Sequence, residues 1–374
     1  EEWDPLAGAV RALPAVERDG LLHFTARLEP AGSAIYVIDE TQAPLAWVPA
    51  PPREVPLFDR ARPAQYLGPV CAYTRNDPNV LTLDFCSYRL GEGAWSAEME
   101  VWRAQDAVRG ALGMRPNYYN GLPQRYKWAL APHPQDGAPL ELRFTFDVDV
   151  VPSGGVYLLL EGSAWFRAIR LNGHAVPNEV VGWYLDRAFH QIPLPGLRAG
   201  RNVLELATPY TNSMELEDCF LLGDFGVGPD RHLIAEPARL RFGDWTSQGY
   251  LHYAGSITYH GALQYDPAAG PVRVYLGEHH ATHVVVHVNG ALAGHIPWQA
   301  ANGLDVTAHL RPGHNDVGIE VLSSPRNMLG PLHLAAGREP WTDWRSFRRT
   351  DETFTPEYVV KAWGLFGQVE FRAG

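Results

Sequence analysis

Cysteine is nearly absent: Cys71, Cys86 and Cys219 are the only three in 374 residues. An odd, widely spaced set excludes a disulfide framework and leaves at least one thiol free. That fits a reducing compartment slightly better than an oxidising one, while leaving export open. Lysine is scarcer still, with Lys127 and Lys361 the only two among 31 basic residues, against 42 acidic ones for a net charge of −11. No basic stripe forms. This argues against nucleic acid as a partner, because phosphate neutralisation supplies most of that affinity. There is no run of 18 apolar residues and no charged-then-apolar leader, so neither a membrane span nor a signal peptide is expected. A Gly-x-Ser-x-Gly elbow, a Walker loop, a dinucleotide fingerprint and a His-Glu-x-x-His pair are all missing, which removes the commonest local signatures of catalysis.

What is plentiful points one way. Glycine (36) and proline (31) are frequent without period, and 12 Trp and 16 Tyr accompany them, the composition of many short strands joined by tight turns. The length allows two or three domains of roughly 100–200 residues. Residues 1–50 read as the end of a small β-domain, with strands over 21–28 and 34–38 and turn chemistry between them. The first residues already read as folded sequence, so a longer parent chain is expected. Proline is dense through 41–70, and 51–75 is taken as a stiff linker. Residues 76–230 and 231–374 then form two further units. Alternation at period two marks strands at 80–86 and 140–148. Residues 97–110 suit one short helix, with Met99, Trp102 and Ala107 near helical spacing.

The two large units share a pattern. Asn172-Gly173 is followed by Gly182-Trp183-Tyr184-Leu185-Asp186 and by Leu197-Arg198-Ala199-Gly200-Arg201-Asn202. Asn289-Gly290 is followed by Gly294, Trp298, Asp305 and Leu310-Arg311-Pro312-Gly313-His314-Asn315. Asparagine to asparagine is 30 residues in one copy and 26 in the other. Asn-Gly supplies the positive φ angles of a type I′ hairpin, and the later glycine suits a left-handed turn. The chain is therefore read as all-β, with two copies of one β-sandwich.

On these residues the sequence resembles the sugar-binding, galactose-binding-like jelly-roll domain that accompanies the catalytic barrel in glycoside hydrolase family 2. It is similar also to the C-terminal region of large bacterial α-L-rhamnosidase-like hydrolases, through 243–250, Asn327 to His333, Tyr358 and Gly364-Leu365-Phe366-Gly367. The segment Trp3-Asp4-Pro5 to Gly8 resembles the small β-domain that follows the barrel there. The resemblance implies tandem jelly-roll sandwiches preceded by the remnant of a small β-domain. It also implies an accessory region of a bacterial hydrolase, cytoplasmic or exported, that binds or positions carbohydrate and contacts the catalytic domain of its parent chain.

Candidate site residues follow from chemistry. Pyranose C–H faces pack on indole and phenol rings while nearby polar groups bond the hydroxyls. Turn-flanked Trp183, Tyr184 and Asp186 in the first copy, and Trp245, Tyr250, Tyr253 and Trp298 in the second, are the candidate sugar contacts. Trp165 is assigned to the core. Each competes with a plainer role, since tryptophan in a sandwich is more often packing. Glu215, Glu217 and Asp218 read as a solvated strand entrance, and Asp186 and Asp305 as turn formers. His283 and His287 share a strand face, but the histidines lack metal-site spacing. No cofactor is expected. A structural Ca²⁺ is compatible with the fold, though its oxygen ligands are not legible.

Overall fold

A computed structural model describes residues 1–5, 8–26, 33–39, 64–116, 129–297, 303–335, 342–347 and 353–373. The described N-terminal residues form a three-stranded sheet from Ala9–Arg11, Glu2–Asp4 and Ile35–Tyr36, and a separate hairpin of Ala15–Arg18 with Leu21–Phe24. The body of the chain is two antiparallel sandwiches, an all-β fold.

In the first sandwich one sheet runs Met99–Glu100, Phe85–Leu90, Ala138–Val148, Gly200–Tyr210, Ala168–Leu171, His174–Val176. The facing sheet runs Gly182–Tyr184, Asp186–Pro193, Val156–Glu161, Cys219–Gly223, Asn79–Leu83. The second sandwich repeats this order among the described residues, without a counterpart of the edge strand Gly182–Tyr184. One sheet is Leu240–Arg241, Val70–Arg75, Ser256–Tyr265, Gly313–Leu322, His283–Val288, Ala291–Ile296, and the other is Gly303–Asp305, Val272–Leu276, Val369–Ala373, Ala64–Tyr66. Two of its strands, Ala64–Tyr66 and Val70–Arg75, come from the interval read as a linker. The first sandwich is thus nested inside the second, between the strands Val70–Arg75 and Ser256–Tyr265 that pair directly.

Alternation builds each core. Leu140, Leu142, Phe144, Phe146 and Val148 from one strand meet Leu204 and Leu206 from its partner, all buried. Each such side chain contributes about 1.5–3 kcal/mol when fully buried. The helix is Val101–Ala111, buried along Val101, Ala104, Gln105 and Val108. Of the Met99, Trp102 and Ala107 expected on its face, Met99 lies in the preceding strand and Trp102 and Ala107 are only half-buried.

The repeated motif folds the same way twice. Asn172 and Asn289 take φ of 54° and 51°, and Gly173 and Gly290 follow at 82° and 79°, as the hairpin requires. Asn202 Oδ1 accepts from the Arg198 amide (3.1 Å) and from Asn172 Nδ2 (2.9 Å). Its Nδ2 donates to the carbonyls of Arg198 (2.7 Å) and Gly200 (2.9 Å). Asn315 repeats every bond, accepting from Arg311 N–H (2.9 Å) and Asn289 Nδ2 (2.8 Å) and donating to Arg311 (2.8 Å) and Gly313 (2.9 Å). Both asparagines are fully buried, so these bonds meet polar groups that water cannot reach.

Candidate functional site

The aromatic candidates divide sharply. Trp183 sits in the edge strand Gly182–Tyr184 and is 55% exposed. Edge position is the cause: it has a neighbour strand on one side only, where it stands opposite His190. His190 Nδ1 and Ser163 Oγ are 2.7 Å apart, and Asn178 Nδ2 donates to the carbonyls of Ser163 (2.9 Å) and Phe166 (3.0 Å). These bonds tie the approach to Trp183 to the turn that carries Trp165. Trp165 is 37% exposed, not a core residue as its sequence suggested. Its ring lies over Gly162, where an added Cβ would come within 2.7 Å of it, and Phe166 takes the buried place instead. Val180, Val181 and Leu185 are exposed on the same edge.

Strand alternation sets Glu161, paired with Phe189, on the opposite face of the sheet from Trp183, which stands in register with His190 and Leu160. Burial, and then the charges of Glu215 and Asp186, push the Glu161 carboxyl above its ordinary range. The three acids come from three separate segments, which no sequence pattern announces. Asp186 also accepts from the Ala188 amide (2.8 Å), the turn-forming role expected of it, and Asp305 does the same for Thr307 (3.0 Å).

Tyr184 lies on the opposite face of the edge strand. Its hydroxyl donates to the Ala254 carbonyl (2.9 Å), and burial raises its pKa. It tethers one sandwich to the other. Trp245, Tyr250 and Tyr253 are fully buried in the core of the second sandwich. Tyr250 donates to Glu236 (2.7 Å) and Tyr253 to the Ser256 carbonyl (2.7 Å), while Trp245 packs edge-on against Tyr253 at 6.0 Å. Trp245 and Tyr250 therefore have no face to offer a sugar. Trp298 lies outside the described residues.

A second polar centre joins the C-terminal segment to the first sandwich. Asp84 accepts from Tyr358 (2.5 Å) and Arg231 (3.2 Å), lies 3.0 Å from His333 Nε2, and Arg231 also bonds Tyr358. Burial alone would raise the Asp84 pKa, but the bonds from His333 and Tyr358 and the Arg231 charge outweigh it and hold it low. Burial likewise opposes protonation of His333, and Asp84 reverses that, so its pKa is raised. Asp218, read as a solvated acid, has its pKa raised well above the usual value by burial, then by Asp84, Glu217 and Glu100. His283 pairs with His295 (2.8 Å) and His287 with Glu320 (3.0 Å). Among the described residues no group of three His, Cys, Asp or Glu is placed to hold a metal ion, and no helix is long and apolar enough to cross a membrane.

No family model and no curated protein matches the chain. Solved structures similar to it include a rhamnosidase from Novosphingobium sp. PP1Y, at TM-score 0.28 and 15% identity, over 71% of this chain and 26% of that one. A β-D-mannosidase from Dictyoglomus thermophilum follows at 0.27 and 13%, over 68% and 32%. A family GH2 β-galacturonidase from Eisenbergiella tayi gives 0.24 and 12%, over 67% and 38%. The chain thus spans between about a quarter and two-fifths of the length of these proteins.

Proposed function

We propose that the chain is a carbohydrate-binding and positioning region of a bacterial glycoside hydrolase, non-catalytic by itself, with its sugar site at the Trp183 rim. The observation that carries this reading is an indole more than half exposed on an edge strand, with the exposed Asp186 in the same hairpin able to accept from sugar hydroxyls. An exposed ring of this kind offers an apolar platform at little cost in side-chain entropy. A carbohydrate ligand agrees with the resemblance carried by the repeated motif.

A second reading is favoured by one observation. The segment 178–187 is largely exposed at an edge of the first sandwich, so it would reach the active site of a catalytic domain elsewhere in the parent protein and help complete it. Isothermal titration calorimetry against rhamnose-, galactose- and glucuronate-containing oligosaccharides tests the first reading. Binding to the isolated chain that falls about tenfold or more in Trp183→Ala supports it. Flat titrations across the panel overturn it and leave bracing of a catalytic domain as the role.

A further inference from the structure

The larger sheets of the two sandwiches share strand order and the asparagine motif, so outward positions near that motif can be matched by register. Counting from the buried asparagines, the first sandwich sets Arg143, Glu205 and Arg170 side by side across three strands. The second sets His260, Gly318 and His287 in those places. In the first, Arg143 bonds Glu205 (2.9 Å), Arg89 bonds Glu141 (2.5 Å), and both arginines stack on Trp95, at 3.8 and 4.9 Å. That face is closed by its own side chains.

In the second sandwich the same ground is an open cleft of about 630 Å³, within the roughly 300–1,000 Å³ of small-molecule sites. Its floor is Gly318, where a side chain would meet Thr258 Cγ2 at 3.0 Å and His287 Cβ at 3.6 Å. Its walls are held in place. His260 Nε2 lies 2.7 Å from Thr74 Oγ1, and His287 Nε2 lies 3.0 Å from Glu320 Oε2. Glu320 Oε1 is taken by Ser256 (2.6 Å) and Asn76 (3.3 Å). Each imidazole thus has one nitrogen fixed by protein and Nδ1 left for a ligand, in a pair separated by two strand spacings, about 10 Å.

We infer that this glycine-floored cleft is a second ligand site, distinct from the Trp183 rim, which takes one neutral saccharide ring between His260 and His287. The charge of the lining selects the class. Glu320 and Asp316 line it with no arginine or lysine, so an anion meets like charge. Both Glu320 oxygens are already bonded, and the described residues hold no metal-binding group of three, so a cation lacks ligands. An uncharged polyol suits imidazole nitrogens and threonine hydroxyls, which both donate and accept.

The test uses the full chain with ¹³C-labelled histidine, its His260 and His287 ring signals assigned by their loss in His260→Ala and His287→Ala. Both signals shift saturably with methyl β-D-galactopyranoside or methyl α-L-rhamnopyranoside, and not with glucuronate. Gly318→Glu, which restores the residue of the first sandwich, weakens that response by about tenfold or more. His260→Ala, which leaves the backbone untouched, weakens the His287 response likewise. Signals that ignore every neutral glycoside, that answer glucuronate alone, or that respond unchanged in both variants overturn the inference. The reporters lie in the second sandwich, so their silence leaves the rim reading standing, and their response does not rescue it.

Discussion

The two sandwiches share strand order, hairpin and asparagine network, yet they expose opposite parts of themselves. The first seals its sheet face with Arg–Glu pairs under Trp95 and leaves Trp183 bare at its edge. The second buries Trp245, Tyr250 and Tyr253 and leaves its sheet face open as a cleft. One scaffold therefore carries two different surfaces, because the network that fixes the fold involves none of the outward side chains. Fold and site are separable in this chain.

The sharpest way to break that comparison is to remove the shared network. Asn202→Ala and Asn315→Ala each strand buried backbone groups and are expected to cost about 1–3 kcal/mol. Urea unfolding should give comparable losses, because the two asparagines make the same four bonds. A large cost in one and none in the other would mean that the two copies are held together differently.

A smaller effect separates the sandwiches by pH. His333 has a raised pKa in the folded chain, so its contribution is complete below the ordinary value of 6.5 and is lost as pH rises through the folded value. Asp84 has a lowered pKa, so its contribution is complete above the ordinary value of 3.8 and is lost as pH falls through the folded value. The pair is thus fully effective between pH 3.8 and 6.5. Buried His252 works the other way. Burial presses its pKa down to about 4, so it takes stability away as pH falls from 6.5 towards 4. The difference between wild type and His333→Gln isolates the first contribution. Urea midpoints should differ most below pH 6.5 and converge on the alkaline side. A difference that stays constant with pH would show that His333 only fills space.

Much of this was legible in the sequence, for reasons that are local. Asn-Gly and Leu-Arg-x-Gly-x-Asn encode their own turns within a few residues, so the duplication could be read directly. The nesting could not. The strand Val70–Arg75 pairs with Ser256–Tyr265 across the whole first sandwich, and period-two alternation says that a strand exists without saying which one it meets. Burial of the aromatics was equally silent. Trp183 directly after Gly182 and Trp245 two residues after Gly243 both sit near turns, and whether packed neighbours cover them decides the outcome. His333 and Tyr358 fell in segments marked by resemblance, but their convergence on Asp84, some 250 and 274 residues away, needed the fold.

The central claim, that the exposed rim of the first sandwich meets the sugar, is tested most directly by ¹⁹F NMR of the chain labelled with 5-fluorotryptophan. The Trp183 and Trp245 signals are identified by their loss in Trp183→Phe and Trp245→Phe. On titration with a binding oligosaccharide the Trp183 signal should move saturably while the Trp245 signal stays fixed. A Trp183 signal that does not move while the oligosaccharide binds elsewhere on the chain would contradict the account.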